Sequence, residues 1–133
     1  MGTNNHSNLL VFGIVDAVGG GATVYPLPGN GTAAEAAAEL KVPVARACVA
    51  KNLYVKMVTA PGGAVTDTIT VRLGGVDQLL TCTVVGAATT GNDTDITHAF
   101  AVVAGNELSV KYVSGGGSAA ADIIVSFEVE FLQ

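Results

Sequence analysis

The sequence predicts an all-β protein: an antiparallel β-sandwich of jelly-roll type with eight or nine strands and at most one short helix, near 32–41. Three observations carry that expectation. Apolar and polar residues alternate with period two through much of the C-terminal two thirds, as in strands with one buried face. Glycine-rich turn signals separate those stretches at intervals of about 8–12 residues, the spacing of a sandwich or barrel. Half of the 133 residues are hydrophobic and only 13% are charged, which excludes a disordered chain. An immunoglobulin-like sandwich is the alternative, disfavoured by the strand count and by the absence of any Trp.

Residues 9–15 (LLVFGIV) form a short apolar run suited to a strand buried on both faces. A Gly-rich turn leads to 22–27 (ATVYPL), a weaker strand ended by Pro26 and Pro28. Thr32 and Glu35 have capping-box spacing ahead of an Ala-rich stretch, so one or two helical turns are expected before Pro43 stops them. Strand is expected again over 44–50. Within 53–58, Leu53, Val55 and Met57 oppose Tyr54, Lys56 and Val58. Ile69, Val71 and Leu73 alternate with Thr68, Thr70 and Arg72, and Leu108, Val110 and Tyr112 with Glu107, Ser109 and Lys111. Segments 79–85 and 96–103 are apolar or small on both faces and read as inner strands, or strands with a covered outer face. The last strand places Ile123, Val125, Phe127, Val129 and Phe131 on one face and Ser126, Glu128 and Glu130 on the other. Gly105-Asn106 is the best hairpin candidate. No repeat or composition break divides the chain, so residues 1–8 are expected as an N-terminal arm and 9–133 as one domain.

Six basic and eleven acidic residues give a net charge of −5, which argues against a nucleic-acid binder. No apolar run approaches the roughly 20 residues that span a bilayer, and the N-terminus lacks the pattern of a signal peptide, so a soluble intracellular product is expected. A folded monomer of this size exposes roughly 6,500 Å². One charge per roughly 380 Å² is sparse against the usual composition of about 25% charged residues. Charge is depleted where surfaces meet other subunits, so the composition favours an oligomer.

The residues that could carry chemistry point mostly to structural roles. Cys48 and Cys82 lack the spacing of a metal site and are expected as buried free thiols. His98 shares a strand face with Ile96, Phe100 and Val102, the setting of a core or interface histidine; a metal site with Cys48, Cys82, His6 and His98 would need four distant residues to converge. No nucleophile elbow is present. Glu128 and Glu130 lie roughly 6.6 Å apart at a rise of about 3.3 Å per residue, and read as solvated strand charges. Asn92-Asp93-Thr94-Asp95 offers oxygen ligands without the rest of a calcium loop, and reads as a turn held by Asx side chains. The Gly19–Gly21 and Gly115–Gly117 runs do not open onto a helix, so they do not suggest a phosphate cradle. Tyr25, Tyr54 and Tyr112 are scattered. No catalytic, cofactor-binding or metal residue is assigned, and an enzyme is not expected.

The phrases NLYVKMVTAPGG (52–63), DTITVRLGGVDQLLTCTVVG (67–86), HAFAVVAGNELSVKYV (98–113) and IIVSFEVEF (123–131) resemble those of small jelly-roll structural proteins of tailed phages. These are head decoration (cement) proteins and fibre-tip domains shaped like the tumour necrosis factor and C1q sandwiches. The resemblance covers about residues 44–132 and supplies no active-site residues. It implies a homotrimeric decoration protein made in the host cytoplasm and carried on the virion surface. There it would bind the major capsid protein, with residues 1–8 or the 28–43 segment reaching the shell. The alternative is a tail fibre or spike domain that binds a host receptor or glycan. Neither nucleic acid nor membrane is an implied partner.

Overall fold

The computed structural model describes residues 6–29 and 39–132. Among these residues, eleven strand segments build two antiparallel sheets. The first contains β1 (His6–Ala17), β3 (Leu27–Pro28), β5 (Cys48–Thr59), β8 (Thr90–Asp93), β9 (Phe100–Val102) and β11 (Ala121–Phe131), in the order β3-β1-β11-β5-β8, with β9 also on β5. The second contains β2 (Thr23–Val24), β4 (Val42–Pro43), β6 (Thr66–Leu73), β7 (Val76–Val85) and β10 (Glu107–Val113), in the order β2-β10-β6-β7, with β4 also on β10.

The pairs β8/β9 and β2/β4 each occupy one strand position. With the two-residue β3 set aside as an edge addition to β1, two four-strand sheets result, with strand positions ordered first, eighth, third, sixth and second, seventh, fourth, fifth along the chain. That order is the jelly roll.

Period-two alternation is what makes this stable. Phe12, Ile14, Leu53, Val55, Ile123 and Phe127 point inward from the first sheet and meet Ile69, Val71, Leu80, Leu108 and Tyr112 from the second. The Phe12 and Phe127 rings stack with centroids 5.8 Å apart. Each such side chain contributes about 1.5–3 kcal/mol by leaving water. The β6–β7 hairpin turns on Gly74 (φ 57°) and Gly75 (φ 81°), the two positive φ values that a two-residue hairpin of this hand needs.

Several expectations are corrected. Residues 96–103 are not one inner strand: Ile96–His98 is a 3-10 turn and only Phe100–Val102 pairs, with β5. The side chain of Asp95 caps that turn by accepting from the Thr97 N–H at 2.9 Å and the Thr97 hydroxyl at 2.7 Å, a local alternative to the ladder. His98 therefore leaves the face it was expected to share with Ile96, Phe100 and Val102. Gly105-Asn106 does turn the chain, with Asn106 N–H donating to Val103 O at 3.1 Å. It carries the chain from β9 in the first sheet to β10 in the second, so it is a corner and not a hairpin.

Residues 6–8 belong to β1 and pair with β11, whereas 1–5 lie outside the described residues. Residues 32–38 of the expected helix also lie outside them, and 39–41 are irregular. The strand expected at 44–50 begins only at Cys48. The strand expected at 9–15 is buried on one face only, and 79–85 lies in β7, an edge strand with an exposed outer face.

Candidate functional site

Three places gather polar or exposed groups. The first joins the sheets at one edge. Asp93, at the end of β8, is buried, and its carboxylate accepts from Thr81 N–H (3.0 Å), Asp95 N–H (3.1 Å) and His98 Nδ1 (2.7 Å). Thr81 lies on β7, the edge strand of its sheet, and gives its N–H to this bond. Burial alone would raise the Asp93 pKa; the three donors outweigh it and hold the carboxyl below its usual range. The Thr97 hydroxyl and N–H lower Asp95 in the same way.

The pair resembles an oriented base, yet no described hydroxyl or thiol donates to His98 Nε2, which a nucleophile–base couple requires. Cys82, the nearest thiol in electrostatic terms, is pushed up to about 12 by burial and by the charge of Asp93, so it is a thiol and not a thiolate. The arrangement is a clasp between β7, β8 and the 3-10 turn.

The second place is a polar cluster inside the sandwich that the sequence reading did not single out. Asp67 is fully buried and accepts from Tyr112 Oη (2.5 Å), Ser118 Oγ (2.8 Å) and Gly115 N–H (2.8 Å). Burial first, and the Asp67 bond second, push the Tyr112 phenol far above its ordinary value. The signal was available: Asp67 has the same strand parity as the inward Ile69, Val71 and Leu73. The cluster also draws the two glycine runs together. Gly21 N–H donates to Gly115 O at 2.9 Å, and a Cβ on Gly20 would lie 2.5 Å from Gly117 N, so only glycine fits.

The other sequence candidates do not converge. Cys48 and Cys82 are free and buried on opposite sheets, with the Cys48 thiol also raised by burial. His6 lies at the start of β1, two strands from β5. Among the described residues no three His, Cys, Asp or Glu side chains group to hold a metal ion. Glu128 and Glu130 are not simply solvated. Lys51 Nζ lies 2.5 Å from Glu130 Oε2, while Asn52 Nδ2 (3.0 Å) and Ser7 Oγ (2.8 Å) donate to Glu128 and hold its pKa down.

The third place is the outer face of the first sheet. Strand registers set its rows: Gly13, Ile124, Lys56 and Thr90 in one, Val11, Ser126, Tyr54 and Asn92 in the next, and Leu9, Glu128 and Lys51 below. Beyond the Glu128 cluster Val11, Val15, Tyr54, Val58 and Ile124 are bare, with Val58 75% and Ile124 54% exposed, and Lys56, Thr90, Asn92 and Ser126 stand among them. Leu9, Val11, Val15, Tyr54, Val58 and Ile124 together expose on the order of 600 Å², the upper end for a monomer's largest apolar patch and near one partner's share of a standard interface. Two shallow hollows flank Ile124. One of about 170 Å³ is lined by Gly13, Val15, Val58 and Asp122, and one of about 390 Å³ by Tyr54, Lys56, Thr90, Asn92 and Ser126. This is the candidate functional surface.

No protein-family model and no curated protein sequence matches the chain. Solved structures are similar to it, two of them as follows. One is the crystal structure of murine APRIL at pH 8.5, with a TM-score of 0.48 and 13% identity over 94% of this chain and 100% of that one. The other is the native structure of a family 35 carbohydrate binding module from Clostridium thermocellum, with a TM-score of 0.43 and 10% identity over 96% of this chain and 98% of that one. The jelly-roll assignment rests on the strand order rather than on these similarities.

Proposed function

We propose that the protein is a non-catalytic structural module that assembles with copies of itself through the outer face of the first sheet, and that it serves as a capsid decoration protein on a phage virion. The observation that carries the assembly reading is the contiguous apolar half of that face. Burying such a patch against another copy removes it from water, and the low overall charge suits a surface shared with neighbours. The virion role rests on the resemblance of the strand phrases to small phage jelly rolls, and a homotrimer is the assembly that resemblance favours. Sedimentation equilibrium together with co-pelleting on empty capsids tests both parts: an oligomer that pellets with capsids is expected, and a monomer that stays in the supernatant would sink the reading.

One observation favours a second reading, a fibre domain that binds glycan. The exposed Tyr54 ring sits beside Lys56, Thr90, Asn92 and Ser126, whose side chains make no hydrogen bond among the described residues. A ring flanked by free polar groups suits the stacking of a sugar. Glycan-array binding that is lost in Tyr54→Ala would promote this reading over the first.

A further inference from the structure

This inference rests on the assembly proposed above and concerns the charge that such an assembly must accommodate. Most of the basic side chains are engaged within the chain. Lys51 pairs with Glu128 and Glu130, Arg72 with Glu39 and Asp77, Lys111 with Asp77, and Arg46 lies 5.7 Å from the Phe131 ring centroid.

Lys56 is different. It stands within the apolar half of the face, between Tyr54 and Val58 along β5 and opposite Ile124, and makes no ion pair or hydrogen bond among the described residues. Water solvates its ammonium in a lone chain. Apolar cover would strip that water and leave a buried unpaired charge, which is strongly unfavourable. Whatever covers this face therefore has to bring a carboxylate to Lys56.

The same face carries a matching acid. Asp122 falls in register between Ala121↔Thr59 and Ile123↔Met57, which puts it opposite Val58 and on the diagonal from Lys56, about 7–8 Å away. Its Oδ1 accepts from Asp16 N–H at 2.9 Å, and it pairs with no cation among the described residues. One bare apolar patch thus has a free cation on one side and a free anion on the other.

We propose that the partner covering this face is a second copy of the chain, docked so that Lys56 of one copy meets Asp122 of the other. The face is self-complementary in charge as well as in apolar character. A rotation axis passing near Val58 and Ile124 sets those two side chains against their counterparts and turns the cation of each copy toward the anion of its neighbour. A two-fold axis makes the pair reciprocal; in a closed ring each interface carries one.

The test is sedimentation equilibrium on the full chain as wild type, K56E, D122N and the double reversal K56E/D122K, with circular dichroism showing that each variant is folded. D122N retains the oxygen that accepts from Asp16 N–H, so it removes the charge while leaving the turn intact. K56E and D122N are each expected to raise the dissociation constant about 30-fold or more. The double reversal gives up the Asp16 N–H bond but re-forms the pair with its signs exchanged, so it is expected to associate about tenfold or more tighter than K56E.

Wild-type association in K56E, or a double reversal no tighter than K56E alone, overturns the ion pair while leaving the assembly reading in place. A wild-type chain that sediments as a monomer overturns the assembly reading itself. Monomeric wild type that instead binds glycan through Tyr54, or binds capsids, assigns the face to that occupant and overturns the second copy.

Discussion

The two outer faces of the sandwich are built to opposite rules. On the second sheet, Arg72 lies 2.9 Å from both Glu39 Oε2 and Asp77 Oδ1 and 5.4 Å from the Tyr25 ring centroid, Lys111 also reaches Asp77, and Ser109 donates to Glu39 at 2.5 Å. Thr70 and Thr81 bond to each other, and the exposed apolar Val76, Leu79 and Val85 are confined to the edge strand β7. On the first sheet the apolar half has no such network, and its one cation, Lys56, lacks a partner among the described residues. A face that satisfies its own polar groups is finished within the chain. A face that leaves apolar side chains, a cation and an anion bare is, in our proposal, finished by a second copy.

The largest expected effect separates the two faces by assembly. Val58→Asp should weaken self-association about 100-fold or more, as loss of a central apolar contact does, whereas Thr83→Asp on the second sheet should leave it unchanged. Sedimentation equilibrium reads both, and equal responses would erase the contrast. The interior provides the reference for stability. Asp67→Ala leaves Tyr112, Ser118 and the Gly115 N–H without their acceptor and should cost about 3 kcal/mol in urea unfolding, with no direct effect on association. Next comes the charge on each face. Arg72→Ala should cost about 1 kcal/mol of stability, discounted for its partly exposed partners, while Lys56→Ala should shift unfolding of the separated chain by no more than about 0.5 kcal/mol. A larger loss for Lys56 would mean that the first face is satisfied internally after all.

The smallest effect is in acid. Asp93 and Glu128 have folded pKa values below their ordinary ones, so the unfolded chain binds protons first and the stability these carboxylates contribute is present above about pH 4. It is lost as pH falls through their folded values. Urea midpoints should therefore drop between pH 7 and pH 3, and the drop should be smaller in Asp93→Asn, where one of these groups no longer titrates.

Much of the fold was legible because strands with one buried face write period two into the chain. Leu53, Val55 and Met57, Ile69 and Val71, and the odd positions from Ile123 to Val129 are all inside where alternation put them, with Leu73 partly buried against them. What alternation does not carry is pairing. Gly105-Asn106 looks like a hairpin from either side, and only the destination of β9 and β10 on different sheets makes it a corner. The 96–103 segment failed for a local reason: Asp95 and Thr97 satisfy each other, so the chain turns before it pairs.

For the sites, the parity of Asp67 was readable, but its partners stand 45 to 51 positions away and could not be. The double-sided apolar runs were recognised correctly in 9–15 and 79–85 and then placed as if covered. In 9–15 the single chain supplies no cover, and its exposed side chains join the candidate surface, whereas the outer face of 79–85 is an open sheet edge.

The central claim is that the first sheet's outer face is covered in solution, and hydroxyl-radical footprinting of the wild-type protein tests it most directly. In the lone chain Val58 (75% exposed), Leu79 (70%) and Ile96 (71%) are nearly equally open. The account predicts that, after correction for intrinsic reactivity, Val58 and Ile124 are protected several-fold while Leu79 and Ile96 label freely. Labelling of Val58 as complete as that of Leu79 would contradict it.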